Sequence, residues 1–200
     1  MAPTHAVAGA ALALPLLAIS PELALVGGLA GLLGGIVPDL DLYAGHRRTL
    51  HFPVYGSALA LVALAIAVVV PSVLTVAVAW FLLAGAVHSA SDVIGGGLEL
   101  RPWEGTSSRA VYDHYRERWL PPKRLIRYDG APEDFAVASL IGAGVIAGFG
   151  PGSLLGWLTG GLLAAGLLYT LVRKRLPEMA DWIAPRLPPV LRSYLPERYH

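Results

Sequence analysis

Seven residues carry the chemistry that this sequence offers: His5, Asp39, Asp41, His46, His51, His88 and Asp92. All are imidazoles or carboxylates. Together these donors suit zinc, iron or manganese, whereas carboxylate alone would favour magnesium or calcium. They come from four separate points of the chain. His5 opens the first apolar stretch. Asp39 and Asp41 stand two apart in Val37-Pro38-Asp39-Leu40-Asp41, where a loop can present both to one site. His46 and His51 bracket Arg47-Arg48-Thr49-Leu50. His88 and Asp92 are four apart, so a helix projects them from one face, the spacing logic of the two histidines of a zinc-protease helix. Seven candidates exceed the four ligands of a tetrahedral zinc site. Either two ions bind, or some of the seven orient the others. There is no cysteine, hence no thiolate ligand and no disulfide framework.

Taken singly, each fragment has an ordinary reading. Aspartates in Pro-Asp-x-Asp usually cap a turn, and a His–Asp pair at i,i+4 is usually a structural hydrogen bond. Arg47 and Arg48 can anchor at anionic headgroups or grip a substrate phosphate bidentately. The combination points instead to metal-assisted hydrolysis. A divalent ion, zinc or manganese, lowers the pKa of its water and polarises a phosphoryl or carbonyl oxygen. Asp39, Asp41 or Asp92, whichever is not a ligand, would then be the general base.

The elements that must position these residues lie in a membrane. Of the 200 residues 55% are hydrophobic and 14% charged, against roughly 25% charged in soluble chains. Residues 6–19, 23–37, 54–70, 73–91, 135–149 and 153–172 contain no Asp, Glu, Lys or Arg. With about 20 residues needed per span, this predicts an all-α, polytopic bundle of six transmembrane helices in three hairpins. The first pair is short and reads as a full or a shallow hairpin. A cleaved signal is not expected, because no Lys or Arg precedes the first apolar run. The predicted divisions are 1–98, helices one to four with the site; 99–134, a polar interfacial loop; 135–172, helices five and six; and 173–200, a tail.

Basic residues set the expected topology. Arg47 and Arg48 follow helix two, seven Lys/Arg lie from Arg101 to Arg127, and six from Arg173 to Arg198. The turns at 20–22, 71–72 and 150–152 carry none. With six helices, every basic segment, both termini and all seven candidates fall on one face, which the positive-inside rule makes cytoplasmic. In the polar loop, Ser108–Trp119 reads as a short interfacial helix, with Trp103, Tyr112, Tyr115 and Trp119 at headgroup level. Glu133 and Asp134 suit the N-terminus of helix five. The tail, net +3, is expected along the anionic leaflet. Glycines four apart at 27, 31 and 35, and at 152, 156 and 160, predict close helix approach within the chain. A formal net charge of +1 singles out no partner. Membrane lipids and a lipid or phosphate-ester substrate are the expected partners, nucleic acid is not, and the oligomeric state stays open.

Four blocks in order resemble a known family: Thr4-His5 before a small-residue helix; Pro38-Asp39-Leu40-Asp41; His46-Arg47-Arg48-Thr49-Leu50-His51; and His88-Ser89-Ala90-Ser91-Asp92, followed by Arg101-Pro102-Trp103. They are similar to those of inner-membrane proteins of the YdjM type, described as membrane-bound, metal-dependent hydrolases. The resemblance covers about half the chain. It implies that His5, Asp39, Asp41, His46, His51, His88 and Asp92 form a metal-dependent site. The family often has His where Leu42 stands, and Thr-His-Ser where Leu50-His51-Phe52 stand, so one potential ligand and two hydroxyls are missing here. Two other classes stay open on sequence: a non-catalytic membrane adaptor with a structural metal, and a small transporter. Ionisable groups at helix ends rather than at the midplane weigh against the transporter.

Overall fold

The structure, a computed structural model, describes residues 2–42 and 44–192. The end of the basic tail, with Arg198, lies outside the described residues. The chain is a polytopic helical bundle. Helix α1 (Ala2–Ala11) loosens into i→i+3 turns before Pro15, whose missing N–H cannot continue the ladder, and resumes as α2 (Leu16–Ile19). The break frees the Leu12 carbonyl, and the Trp80 indole N–H donates to it at 2.9 Å, as a backbone acceptor buried from water requires. Pro21 starts α3 (Pro21–Ile36) at its first position, where no donor is lost. Pro38 converts the end of α3 into a 3-10 turn over Val37–Asp41. Helix α4 (Tyr55–Val69) stops before Pro71; a Ser72–Thr75 capping box then opens α5 (Val73–Ser91). Helices α6 (Pro132–Phe149) and α7 (Leu154–Val172) form the last hairpin, turned at Gly150, whose φ is +91°. Short helices α8 (Leu176–Ile183) and α9 (Pro189–Arg192) follow.

Among the described residues five stretches are long and apolar enough to cross a membrane: Ala2–Ile19, Pro21–Asp41, Val73–Ile94, Pro132–Phe149 and Leu154–Val172. The first two, expected to be the short ones, qualify because α1 and α2 act as one broken rod and the 3-10 turn extends α3. The short member is instead α4, with 15 residues. Val68, Leu61, Leu140 and Leu168 point outward, as a lipid-facing surface requires.

Helix α3 packs between α1 and α5. The first glycine series makes this possible. A Cβ at Gly31 would overlap the Gly9 carbonyl, and one at Gly35 the His5 carbonyl. The second series behaves differently: Gly152 and Gly160 face open space within the chain.

Contacts gather the polar segments at one end of the bundle. Thr4 Oγ1 donates to Asp134 at 2.7 Å, and Arg173 Nε donates to the Asp129 carbonyl at 3.2 Å. Glu133 and Asp134 lie in the first turn of α6, as expected. The interfacial helix expected over Ser108–Trp119 is not formed. Strands β1 (Val111–Asp113) and β2 (Arg118–Leu120) pair there as an antiparallel hairpin, with Val111 opposite Leu120. β-branched and aromatic residues favour the pleat. Asp113 fixes the turn by accepting from the amides of Tyr115 and Arg116 at 2.9 and 3.1 Å.

Candidate metal centre

Four elements bring the site together: α1 supplies His5, the turn after α3 Asp39, the loop before α4 His51, and the end of α5 His88 and Asp92. Ligand atoms of His5, His88 and Asp92 lie within 4.8 Å of one another, and so do those of Asp39, His51 and His88. His88 belongs to both groups. The pairwise distances are narrow: His51 Nε2–Asp92 Oδ2 3.1 Å, His5 Nε2–Asp92 Oδ1 3.4 Å, His88 Nε2–Asp39 Oδ1 3.5 Å, His88 Nε2–Asp92 Oδ2 3.8 Å and His51 Nε2–Asp39 Oδ1 4.0 Å. Ligands about 2 Å from one ion stand roughly 3–4 Å apart. Each group of three is therefore spaced for one ion, and His88 is shared between the two.

The imidazoles are held from behind. His88 Nδ1 donates to the Gly35 carbonyl at 2.7 Å, an oxygen that can only accept. His51 Nδ1 donates to Asp41 Oδ2 at 3.0 Å. His5 Nδ1 lies 3.4 Å from Ser91 Oγ, whose own proton goes to the His88 carbonyl. With the proton fixed on Nδ1, Nε2 keeps its lone pair, the arrangement that pre-sets a histidine ligand. His51 Nε2, His88 Nε2 and Asp92 Oδ2 are buried without a hydrogen-bond partner. Leaving such atoms unmatched is expensive, and a cation is the partner that all three accept.

Two of the expected ligands stand outside both groups. Asp41, 1% exposed, takes His46 Nδ1 and the Arg47 amide on Oδ1 at 2.9 and 3.3 Å, and the Leu50 amide and His51 Nδ1 on Oδ2, each at 3.0 Å. Four donors occupy its lone pairs, so it orients histidines and is open neither to an ion nor to a proton. His46 takes the other oxygen of the same carboxylate from the one His51 uses, and lines the cavity described below.

Arg47 lines the same cavity, but its guanidinium is engaged by protein acceptors, and Arg48 lies over an aromatic ring. Arg47 is buried; its guanidinium donates to Gly96 O at 2.7 Å and to Asp129 Oδ2 at 3.0 Å, with Nε 3.6 Å from Asp92 Oδ2. Burial opposes its charge, but Asp129 and Asp92 outweigh that and raise its pKa further. Burial likewise pushes Asp129 up, and the positive charges around it, Arg47 foremost, together more than offset it, so Asp129 is held well below the usual carboxylate range. Arg47 thus ties the polar loop to the site. Arg48 is exposed, its guanidinium 4.6 Å from the Tyr112 ring centre. Ser91, the Gly35 carbonyl and Asp129 were not foreseeable as site residues. A serine in α5, a backbone oxygen and one acid among the seven of the polar loop carry no distinguishing spacing.

A cavity of about 540 Å³ meets the centre at His5, Asp39 and Asp92 and is walled by Ile36, Leu40, Ala165 and Tyr169 among others. That volume lies in the range of small-molecule sites. Leu40 and Leu42, at its lip, are 67% and 56% exposed. Buried His and Asp groups that can hold a metal ion thus border a half-apolar chamber. No family model, curated protein or solved structure matches the chain.

Proposed function

We propose that the chain is a membrane-embedded, metal-dependent hydrolase, and that the cluster of His5, Asp39, His51, His88 and Asp92 holds its ion. The observation that carries this is the set of buried, unpartnered atoms on His51, His88 and Asp92, with the tautomers of their rings set by hydrogen bonds behind them. Three imidazoles and two carboxylates suit zinc or manganese. Bound there, a divalent ion supplies Lewis acidity toward a phosphoryl or carbonyl oxygen. The cavity supports a catalytic over a structural ion, since structural sites are coordinatively closed. Its leucine lip supports a substrate drawn from the bilayer, a lipid or phosphate ester cleaved at headgroup depth. The resemblance of the four sequence blocks to those of YdjM-type proteins supports the same activity. By the distribution of basic residues, the site and both termini face the cytoplasm.

The test is metal content. Protein purified in detergent should retain zinc or manganese, His88→Ala or Asp92→Ala should lose most of it, and His114→Ala should keep it, because His114 bonds the Arg48 carbonyl outside the cluster. Equal loss in all three variants, or an intact wild type without metal, refutes the assignment. A reporter fused to the C-terminus should read cytoplasmic; a signal from the other side overturns the orientation.

A further inference from the structure

We propose that His46 is the general base of this centre rather than one of its ligands, with Asp41 as its orienting partner. The inference rests on the hydrolase reading above. It begins from elimination among the carboxylates. Asp39 and Asp92 fall in the metal-binding groups, Asp129 in the cavity wall is paired with the Arg47 guanidinium at 3.0 Å, and the oxygens of Asp41 are filled by four N–H donors. A hydrolase still needs a group to take the proton of the attacking water.

His46 has the geometry for it. Its Nδ1 lies 2.9 Å from Asp41 Oδ1. A carboxylate only accepts, so Nδ1 carries the proton and Nε2 keeps a lone pair. Among the described residues no hydrogen bond reaches that Nε2. His46 lines the cavity beside His5, Asp39 and Asp92, and it is 22% exposed where His51 and His88 are fully buried. The rings of His46 and His51 stand edge to face, 5.7 Å between centres. Both turn Nδ1 toward the one carboxylate and Nε2 away from it. His51 therefore keeps its lone pair 3.1 Å from Asp92, while His46 lines the chamber with its own lone pair free of any hydrogen bond among the described residues. The loop enforces this: Gly45 and Arg47 take φ of +87° and +60°, and the Arg47 amide joins His46 on Asp41 Oδ1.

For a phosphate ester in the chamber the step balances as follows. Water oxygen bonds to phosphorus as the ester P–O bond breaks. The water proton passes to His46 Nε2, forming an imidazolium faced by Asp41. That proton then moves to the leaving alkoxide oxygen and restores the neutral ring.

The experiment has a readout independent of turnover. Zinc-loaded protein in detergent is treated with diethyl pyrocarbonate and mapped by mass spectrometry. His46 should be modified with zinc bound, and at an unchanged rate after EDTA treatment, while His5 becomes reactive only after EDTA. Protection of His46 that EDTA relieves in step with His5 would make it a ligand and overturn the proposal. His46→Gln should keep its zinc but lose about 10²–10⁴-fold in kcat on dioleoyl phosphatidate vesicles or bis(p-nitrophenyl) phosphate, with little change in KM. Added imidazole should restore part of the turnover of His46→Gly. An active wild type with unaffected His46→Gln turnover overturns this role alone; a zinc-loaded wild type that cleaves neither substrate overturns the hydrolase reading and this role with it.

Discussion

Asp41 and Asp113 are built alike and do different things. Each is a buried aspartate that closes a polar turn by accepting two backbone amides. They differ in what fills the remaining lone pairs. At Asp113 it is the Arg116 guanidinium, 2.9 Å away and more than half exposed. At Asp41 it is two imidazoles, His46 and His51. The first arrangement neutralises a charge and finishes a hairpin. The second sets the tautomers of two rings at once and points their free nitrogens in different directions. Turn chemistry of one kind thus finishes a hairpin or orients two imidazoles, depending on which donors take the remaining lone pairs.

The same substitution at both positions breaks the comparison most sharply. In Asp41→Asn, the amide nitrogen cannot accept from the two N–H groups that now meet one of the oxygens. The relief is for a ring to move its proton to Nε2; at His51 this leaves no lone pair for the ion, and at His46 none for the attacking water. The expected loss is about 10–100-fold in metal affinity, measured by competition with a calibrated chelator. In Asp113→Asn, the oxygen that accepts both amides is kept and only the guanidinium partner is lost. The expected cost is about 1 kcal/mol, of the order of a single hydrogen bond, with metal affinity unchanged. Equal effects on metal binding would dissolve the distinction between the two turns.

This contrast also shows what could be read from the sequence. Charge-free stretches bounded by proline turns located the helices, and the segregation of Lys and Arg anticipated one polar end. Five of the seven expected ligands converge, because His5, Asp39, His51, His88 and Asp92 each sit where a helix ends at that face. The division between ligand and orienter was not legible. Asp39 and Asp41 are the same residue two positions apart, and only the path of the loop from Gly45 to Leu50 decides which is enclosed by amides. The hairpin was missed for a related reason: Asp113 acts through its own turn, while Tyr112 and Trp119 suit a strand as well as an interfacial helix. The two glycine series look identical in sequence, yet only Gly31 and Gly35 meet the backbone of another helix, because α1 crosses there; Gly156 meets only the turn at Gly150 and Pro151, and nothing crosses at Gly160.

The smallest expected effect lies in the acid behaviour of the hairpin. Burial alone would push the Asp113 carboxyl up. Its bonds from the Arg116 side chain and from the amides of Arg116 and Tyr115 outweigh burial and hold it below the ordinary range. A depressed folded-state pKa means that the stabilisation is fully present above the unfolded value of about 3.9 and is lost as pH falls through the lower folded value. Amide-exchange protection across Val111–Leu120, corrected for intrinsic rates, should therefore be level from pH 7 to about pH 5 and fall only in more acid solution. Arg116→Ala should weaken the hairpin by no more than about 0.2–1 kcal/mol, since the guanidinium is largely solvated, and should move the fall toward higher pH. In Asp113→Asn this acid step should vanish, because no carboxyl remains in the turn to titrate. If the step persists there, another group governs the hairpin. The likeness to Asp41 would then extend only to the backbone of the turn.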